Sequence, residues 1–283
     1  MINLKDYKLI VSDLDGTLIK YGTDEISETV KEAINSLVTK GILFTIATGR
    51  SWNQSKKIIR ELAVKLPVVL QSGAIIMEPI SKKILHWQPL RREFEERLRN
   101  IHGSSPVDQF VLDEYGNYHT IRINTVGGKI FFNKFGESCI VKDPIETGDI
   151  IIKHLYVGPE KILYQIAEKI VSEFNPEPNW VLWPPEPGLD DFFLEIFDPN
   201  ASKGQALQWL SEYLNIRPNQ VMAFGDGHND LDLLSWAGLG VAMEEAPANV
   251  SAKAKMIIPG PEFDGLAKFL RGELTKSRSK FCK

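Results

Sequence analysis

Short apolar runs alternate with amphipathic stretches through the first eighty residues, the rhythm of strands buried on both faces and the helices that cover them. Residues 7–12 read as a strand that ends at Asp13, and residues 27–39 have helical spacing with Ser27 as N-cap and Gly41 as the stop. Residues 42–47 read as a second strand, 51–62 as a helix and 68–70 as a third strand. Such repetition predicts a parallel sheet with right-handed crossovers.

From about residue 84 the pattern changes. Residues 109–112 and 118–123 read as a hairpin joined across 113–117, with Gly116 and Asn117 as turn chemistry. Residues 151–157 read as a strand, 159–174 as a helix, 179–189 as a loop rich in tryptophan and proline, and 192–196 as another strand. The alternation then resumes with a helix at 203–214, a strand at 221–224, a helix around 230–237 and strands at 240–243 and 255–258. The pattern predicts an α/β protein. A Rossmann-like parallel-sheet core domain of residues 1–83 and 193–283 is interrupted by an inserted α+β domain over 84–192.

A chain of 283 residues, 43% apolar and 25% charged, is large enough for two packed domains and unlike disordered or membrane sequences. A formal charge of -4 supplies no basic field for nucleic acid or anionic lipid. No run approaches the length of a membrane span. Two cysteines, Cys139 and Cys282, build neither a disulfide framework nor a multi-cysteine zinc site, and the N-terminus does not read as a signal peptide, so a cytoplasmic location is expected. The basic residues 276–283 read as a solvated end, and nothing in the chain specifies an oligomeric state.

Chemistry enters where the strands end, because ligands of open parallel sheets bind at the carboxyl edge. The first strand delivers Asp13-Leu14-Asp15-Gly16-Thr17, the second Thr48-Gly49-Arg50, and the strand at 221–224 delivers Gly225-Asp226-Gly227-His228-Asn229-Asp230. Four carboxylates gathered at one edge repel one another unless a positive group sits among them. A hard divalent cation answers this, and a site with few carboxylates, completed by water and a substrate phosphate, suits magnesium better than calcium. Lys203, in Ser202-Lys203-Gly204, opens a helix where the dipole disfavours a cation, which points to an anionic substrate.

Taken singly, these pieces are a turn, a strand-end hydroxyl and a capped loop; together they are not explained that way. Rival motifs fail. Gly225-x-Gly227 lacks the third glycine of a dinucleotide fingerprint and has Asp230 in its place, and no glycine-rich phosphate loop ending in Gly-Lys-Ser/Thr exists. Asp13-Leu14-Asp15-Gly16 lacks the later glutamate of a calcium loop.

In order and separation, the motifs resemble the haloacid dehalogenase-like phosphatases, in particular the Cof-type branch with a large cap inserted between the second and third motifs. The likeness extends over nearly the whole chain. It implies that Asp13 is the nucleophile and Asp15 the general acid and then base. It implies a Mg2+ held by Asp13, the backbone carbonyl of Asp15 and Asp226, with Asp230 beside it, and phosphoryl oxygens held by Thr48, Lys203, Asn229 and the amides of Leu14 and Gly49. It further implies that the cap closes over the site and selects a small phosphorylated metabolite, a sugar phosphate first and a nucleotide or cofactor phosphate second. A phosphotransferase or mutase, and a non-catalytic phospho-ligand sensor, are the alternatives. One departure is Ser72-Gly73-Ala74, where relatives usually have Asn-Gly-Ala, and Ser72 carries no assignment.

Overall fold

The computed structural model describes residues 3–114, 116–134, 139–141, 150–183 and 189–274. The basic end at 276–283, Cys282 and part of the loop expected at 179–189 lie outside them. The chain divides into two compact units, Met1–Trp87 with Ser202–Lys283, and Gln88–Ala201.

In the first unit β1 (Leu9–Ser12), β2 (Leu43–Ile46), β12 (Val221–Gly225), β13 (Leu239–Met243) and β14 (Met256–Ile258) form a parallel sheet in the order β14-β13-β12-β1-β2. β1 is buried along its length, which is why its sequence is a continuous apolar run. On one face α6 (Lys203–Tyr213) and α7 (Leu231–Trp236) lay Leu207, Leu210, Leu233 and Leu234 against Leu9, Val11 and Ala223. Elsewhere in this unit Phe224 meets Phe269 of α9 (Gly265–Leu270) edge to face. The expected caps form. Ser27 accepts from the Val30 amide ahead of α1 (Glu28–Thr39), and Ser51 makes a capping box with Gln54 ahead of α2 (Trp52–Glu61).

β3 (Val68–Leu70) is less regular than the alternation predicted. A single parallel bridge, Ala47 to Val69, ties it to the end of β2, and it pairs antiparallel with β4 (Ile75–Met77), which pairs with β5 (Ile84–Trp87). β5 thus belongs to the first unit, and the boundary falls after Trp87 rather than at residue 84.

Among the described residues the second unit has a six-stranded sheet of β6 (Asp108–Asp113), β7 (Tyr118–Thr120), β8 (Cys139–Val141), β9 (Ile151–Pro159), β10 (Asn179–Trp183) and β11 (Asp191–Phe197), in the order β10-β11-β9-β6-β7-β8, with β6 and β7 the expected antiparallel pair. α3 (Arg92–Ile101) and α5 (Glu160–Glu173) put Phe94, Leu98, Leu163 and Ile170 into a core with Tyr156, Leu194 and Ile196. Two expectations are corrected here. Asn179–Trp183 is a strand, β10, not a loop, because its run of aromatic and aliphatic residues pairs with β11 (Asp191–Phe197). A return to the first unit at residue 193 would cut β11, which pairs with β9 (Ile151–Pro159) throughout, so the unit continues to Ala201. The indole N–H groups of Trp180 and Trp183 donate to Glu177 and Glu195 within this unit.

Candidate active site

Parallel register builds the site. Ser12 lies opposite both Phe224 and Ile46, so the residues that follow each strand leave the sheet at the same edge. Asp13 leaves β1, donating its amide to the Phe224 carbonyl. Thr48 leaves β2 and is fully buried, its hydroxyl oxygen accepting from the Arg50 amide at 3.1 Å. Asp226 and Asp230 follow β12. Carboxylate oxygens of Asp13, Asp226 and Asp230 lie within 4.8 Å of one another, all three side chains buried.

Lys203 sits among them. Its Nζ lies 2.7 Å from Asp13 Oδ1 and 2.7 Å from Asp230 Oδ1, with the lysine 1% exposed. Burial alone would pull this ammonium down; Asp13 and Asp230 outweigh it and hold it above its usual range. What brings Lys203 this close is Gly73, with φ +103°, where a Cβ would stand 2.1 Å from the Ser202 carbonyl oxygen. Only a glycine lets the loop after β3 press against the start of α6.

Each acidic group has its own partners. Asp230 Oδ2 accepts the amides of Asp226 (3.1 Å) and Gly227 (2.9 Å), so both its oxygens are held by the protein. Asp226 accepts Thr17 Oγ1 at 2.8 Å on Oδ1 and the Tyr21 hydroxyl at 2.5 Å on Oδ2. Burial and Asp230 push the Asp226 carboxyl up to about 6 against the lowering effect of Tyr21, Thr17 and Lys203. Burial first, then the surrounding carboxylates, also raise Asp13 well above the carboxylate range, against the pull of Lys203. Three buried acids with one ammonium are short of positive charge, and an all-oxygen donor set suits a hard divalent cation. The residues present fit such an ion.

Asp15 is gripped on both oxygens by Arg50, Nε to Oδ2 at 2.7 Å and Nη2 to Oδ1 at 2.6 Å. The same guanidinium donates to Asp24 and to the Thr23 carbonyl. Asp15 and Asp24 together hold Arg50 above its ordinary range although burial opposes them. Leu14, fully buried, turns the chain through its carbonyl, which accepts from Thr17, Leu18 and Ile19. Gly49 lies between Thr48 and Arg50. Asn229 Nδ2 reaches the buried Ser72 hydroxyl at 3.5 Å, so the residue left without an assignment does arrive beside an expected phosphate ligand.

The expected residues are thus assembled by one unit. Three contributors were missed by sequence reasoning: Arg50 as the clamp on Asp15, and Thr17 and Tyr21 as donors to Asp226. The first two stand inside recognised motifs, whereas Tyr21 has no signal of its own.

Known proteins share this arrangement of the chain. A model of haloacid dehalogenase-like hydrolases matches residues 10–270. Two Bacillus subtilis proteins, 5-amino-6-(5-phospho-D-ribitylamino)uracil phosphatase YitU and phosphatase YwpJ, are each 26% identical. Each alignment covers 93% of this chain, with 96% of the former and 99% of the latter. The crystal structure of a haloacid dehalogenase-like hydrolase from Bacteroides thetaiotaomicron superposes with a TM-score of 0.78 at 25% identity, covering 95% of this chain and all of that one. The chain therefore belongs to the haloacid dehalogenase-like hydrolases, and it is an enzyme of their phosphatase kind.

Proposed function

We propose that this phosphatase hydrolyses the phosphate monoester of a small metabolite, a phosphorylated sugar or sugar alcohol foremost, with Mg2+ bound and Asp13 as the nucleophile. The observation that carries the reading is the Asp13 carboxylate, buried at a strand end with one oxygen on Lys203 and two further carboxylates beside it. Three buried acids around one ammonium are a poor way to stabilise a fold, whereas a nucleophile meeting a phosphate dianion needs that cation.

Asp13, the backbone carbonyl of Asp15 and Asp226 would hold the metal, with Asp230 orienting its neighbours. Bound there, it would supply positive charge to the phosphoryl oxygens and shield the nucleophile from the substrate dianion. A carboxylate oxygen of Asp13 attacks phosphorus as the ester P–O bond breaks, and Asp15 gives its proton to the leaving alkoxide. Water then attacks the aspartyl-phosphate, Asp15 takes the proton back, and Asp13 and inorganic phosphate are released. Arg50 donates to both oxygens of Asp15. Before the first step Asp15 must yield one oxygen, and Asp24 offers the guanidinium a second carboxylate. Lys203, Thr48, Asn229 and the amides of Leu14 and Gly49 hold the phosphoryl oxygens where charge spreads in the transition state.

Substrate choice we assign to residues 88–201, the inserted unit. The sugar-alcohol preference is supported by the relative named for a phosphoribitylamino substrate. A panel of metabolite phosphates with Mg2+, read as inorganic phosphate released, tests the reading. Asp13→Asn abolishes release of phosphate from a generic aryl phosphate while the protein stays folded by circular dichroism. Full turnover in that variant, or transfer to added sugars in place of release, ends the proposal.

A further inference from the structure

Tyr21 is a site residue that the family motifs do not account for. It follows a tight reversal in which the Gly16 amide donates to the Ile19 carbonyl and Asp15 bridges to Ile19, and the chain is thereby turned back toward Asp226. The residue is 62% exposed, yet its hydroxyl reaches a carboxylate that is 5% exposed. Its ring lies on Gly16, where φ is +74° and a Cβ would stand 2.5 Å from Tyr21 Cε2 and 2.3 Å from Asp226 Oδ2. The absence of a side chain at Gly16 is what admits the phenol.

With Thr17 on one oxygen and Tyr21 on the other, Asp226 has a donor on each side and its plane is fixed. Each oxygen keeps a further lone pair. A carboxylate free to rotate would have to be ordered when it binds a cation, and would be drawn toward Lys203 or turned from Asp13 and Asp230 without one. We propose that Tyr21 is a positioning residue for the metal carboxylate: its hydroxyl holds Asp226 in the orientation that binds Mg2+, and so sets this enzyme's affinity for the ion. The inference rests on the proposed Mg2+ site. Thr17, 1% exposed, is anchored in the core, whereas Tyr21 reaches in from the surface. Tyr21 is therefore the member of the pair that can be altered without disturbing the fold.

The experiment is calorimetric titration of the metal-free protein with MgCl2, for the wild type, Tyr21→Phe and Tyr21→Ala, with activity against Mg2+ concentration alongside. Hydrogen-bonded partners of metal ligands contribute about tenfold or more to metal affinity. Tyr21→Phe is expected to raise the Mg2+ Kd about tenfold, with the metal-free protein still folded by circular dichroism and kcat restored when Mg2+ is raised to saturation. Tyr21→Ala, which also removes the ring from Gly16, is expected to show a similar loss, assigning the effect to the hydroxyl. An unchanged or tighter Kd in Tyr21→Phe overturns the inference and leaves the metal site standing, as does a loss confined to Tyr21→Ala. A wild-type protein that binds no Mg2+ overturns both.

Discussion

Replacing Lys203 by methionine keeps the length of the side chain and removes its charge. The ammonium has 2.7 Å contacts to two carboxylates, with none of the three side chains more than 8% exposed. Breaking a buried pair by removing one partner costs about 3–5 kcal/mol, because the remaining charge has lost both water and its counter-ion. For a unit of this size each kcal/mol moves the midpoint by about 2–4 °C, so in chelator at pH 7.5 the melting temperature falls by roughly 6–20 °C. The sign with pH follows from Asp13. Its folded pKa is already raised, and loss of the ammonium raises it further. A carboxyl with a folded pKa above its unfolded value stabilises most below the unfolded value, and that stability is lost as pH rises through the folded one. The Lys203→Met deficit is therefore smaller at pH 5 than at pH 7.5, and Mg2+ reduces it. Turnover falls by about 10² or more, the scale of losing one preorganised charge at the transition state. Calorimetry or circular dichroism at both pH values, with and without Mg2+, reads all of this. A deficit equal at the two pH values, or below 2 °C at pH 7.5, would show that Lys203 does not balance these acids, and the electrostatic account of the site would fail.

Arg50→Lys keeps the charge but cannot grip both oxygens of Asp15. Its activity is expected to fall about tenfold on alkyl phosphates and less on p-nitrophenyl phosphate, whose leaving group needs no proton; equal losses on both would mean Arg50 does not act through Asp15. In the metal-free protein the Asp226 carboxyl rises from an unfolded 3.8 to about 6, so its contribution is fully present below the lower value and is lost as pH rises through the upper. That is about 2 kcal/mol between pH 4 and 7. Urea unfolding in chelator should show this slope flattened in Asp226→Asn, and identical slopes in the two proteins would refute it.

How much of this was legible depended on whether a feature is local. The parallel sheet was, since fully buried strands are unbroken apolar runs and Ser27, Ser51 and Gly41 mark helix ends. Lys203 was legible through its misfit with the helix dipole. The α3 helix was overlooked although Phe94, Leu98 and Ile101 carry its spacing, because a charged face between them masks it. β10 was hidden by the prolines that follow it: composition suggested a loop, while pairing to β11 is a long-range fact. The same holds for the unit boundaries, which are decided by β5 pairing with β4 and β11 with β9. Tyr21 was invisible for a related reason. An exposed tyrosine after a turn gains its meaning only from Asp226, which follows another strand more than two hundred residues on.

The order of the sheet explains why a long insertion leaves the chemistry undisturbed. β1 lies inside the sheet and pairs with both β2 and β12, so the separation of Asp13 from Asp226 is fixed by hydrogen-bond register between neighbours rather than by the chain that connects them. The insertion leaves after β5 and returns just before α6, and neither junction interrupts those pairings. What must be restored on return is the start of α6, and the contact of Gly73 with Ser202 does that within the first unit. Lys203, next in the chain, is thereby delivered to Asp13 and Asp230 whatever the inserted residues are. The carboxylates and their counter-charge are thus set by one unit's backbone, and the inserted residues are free to differ in sequence without moving them.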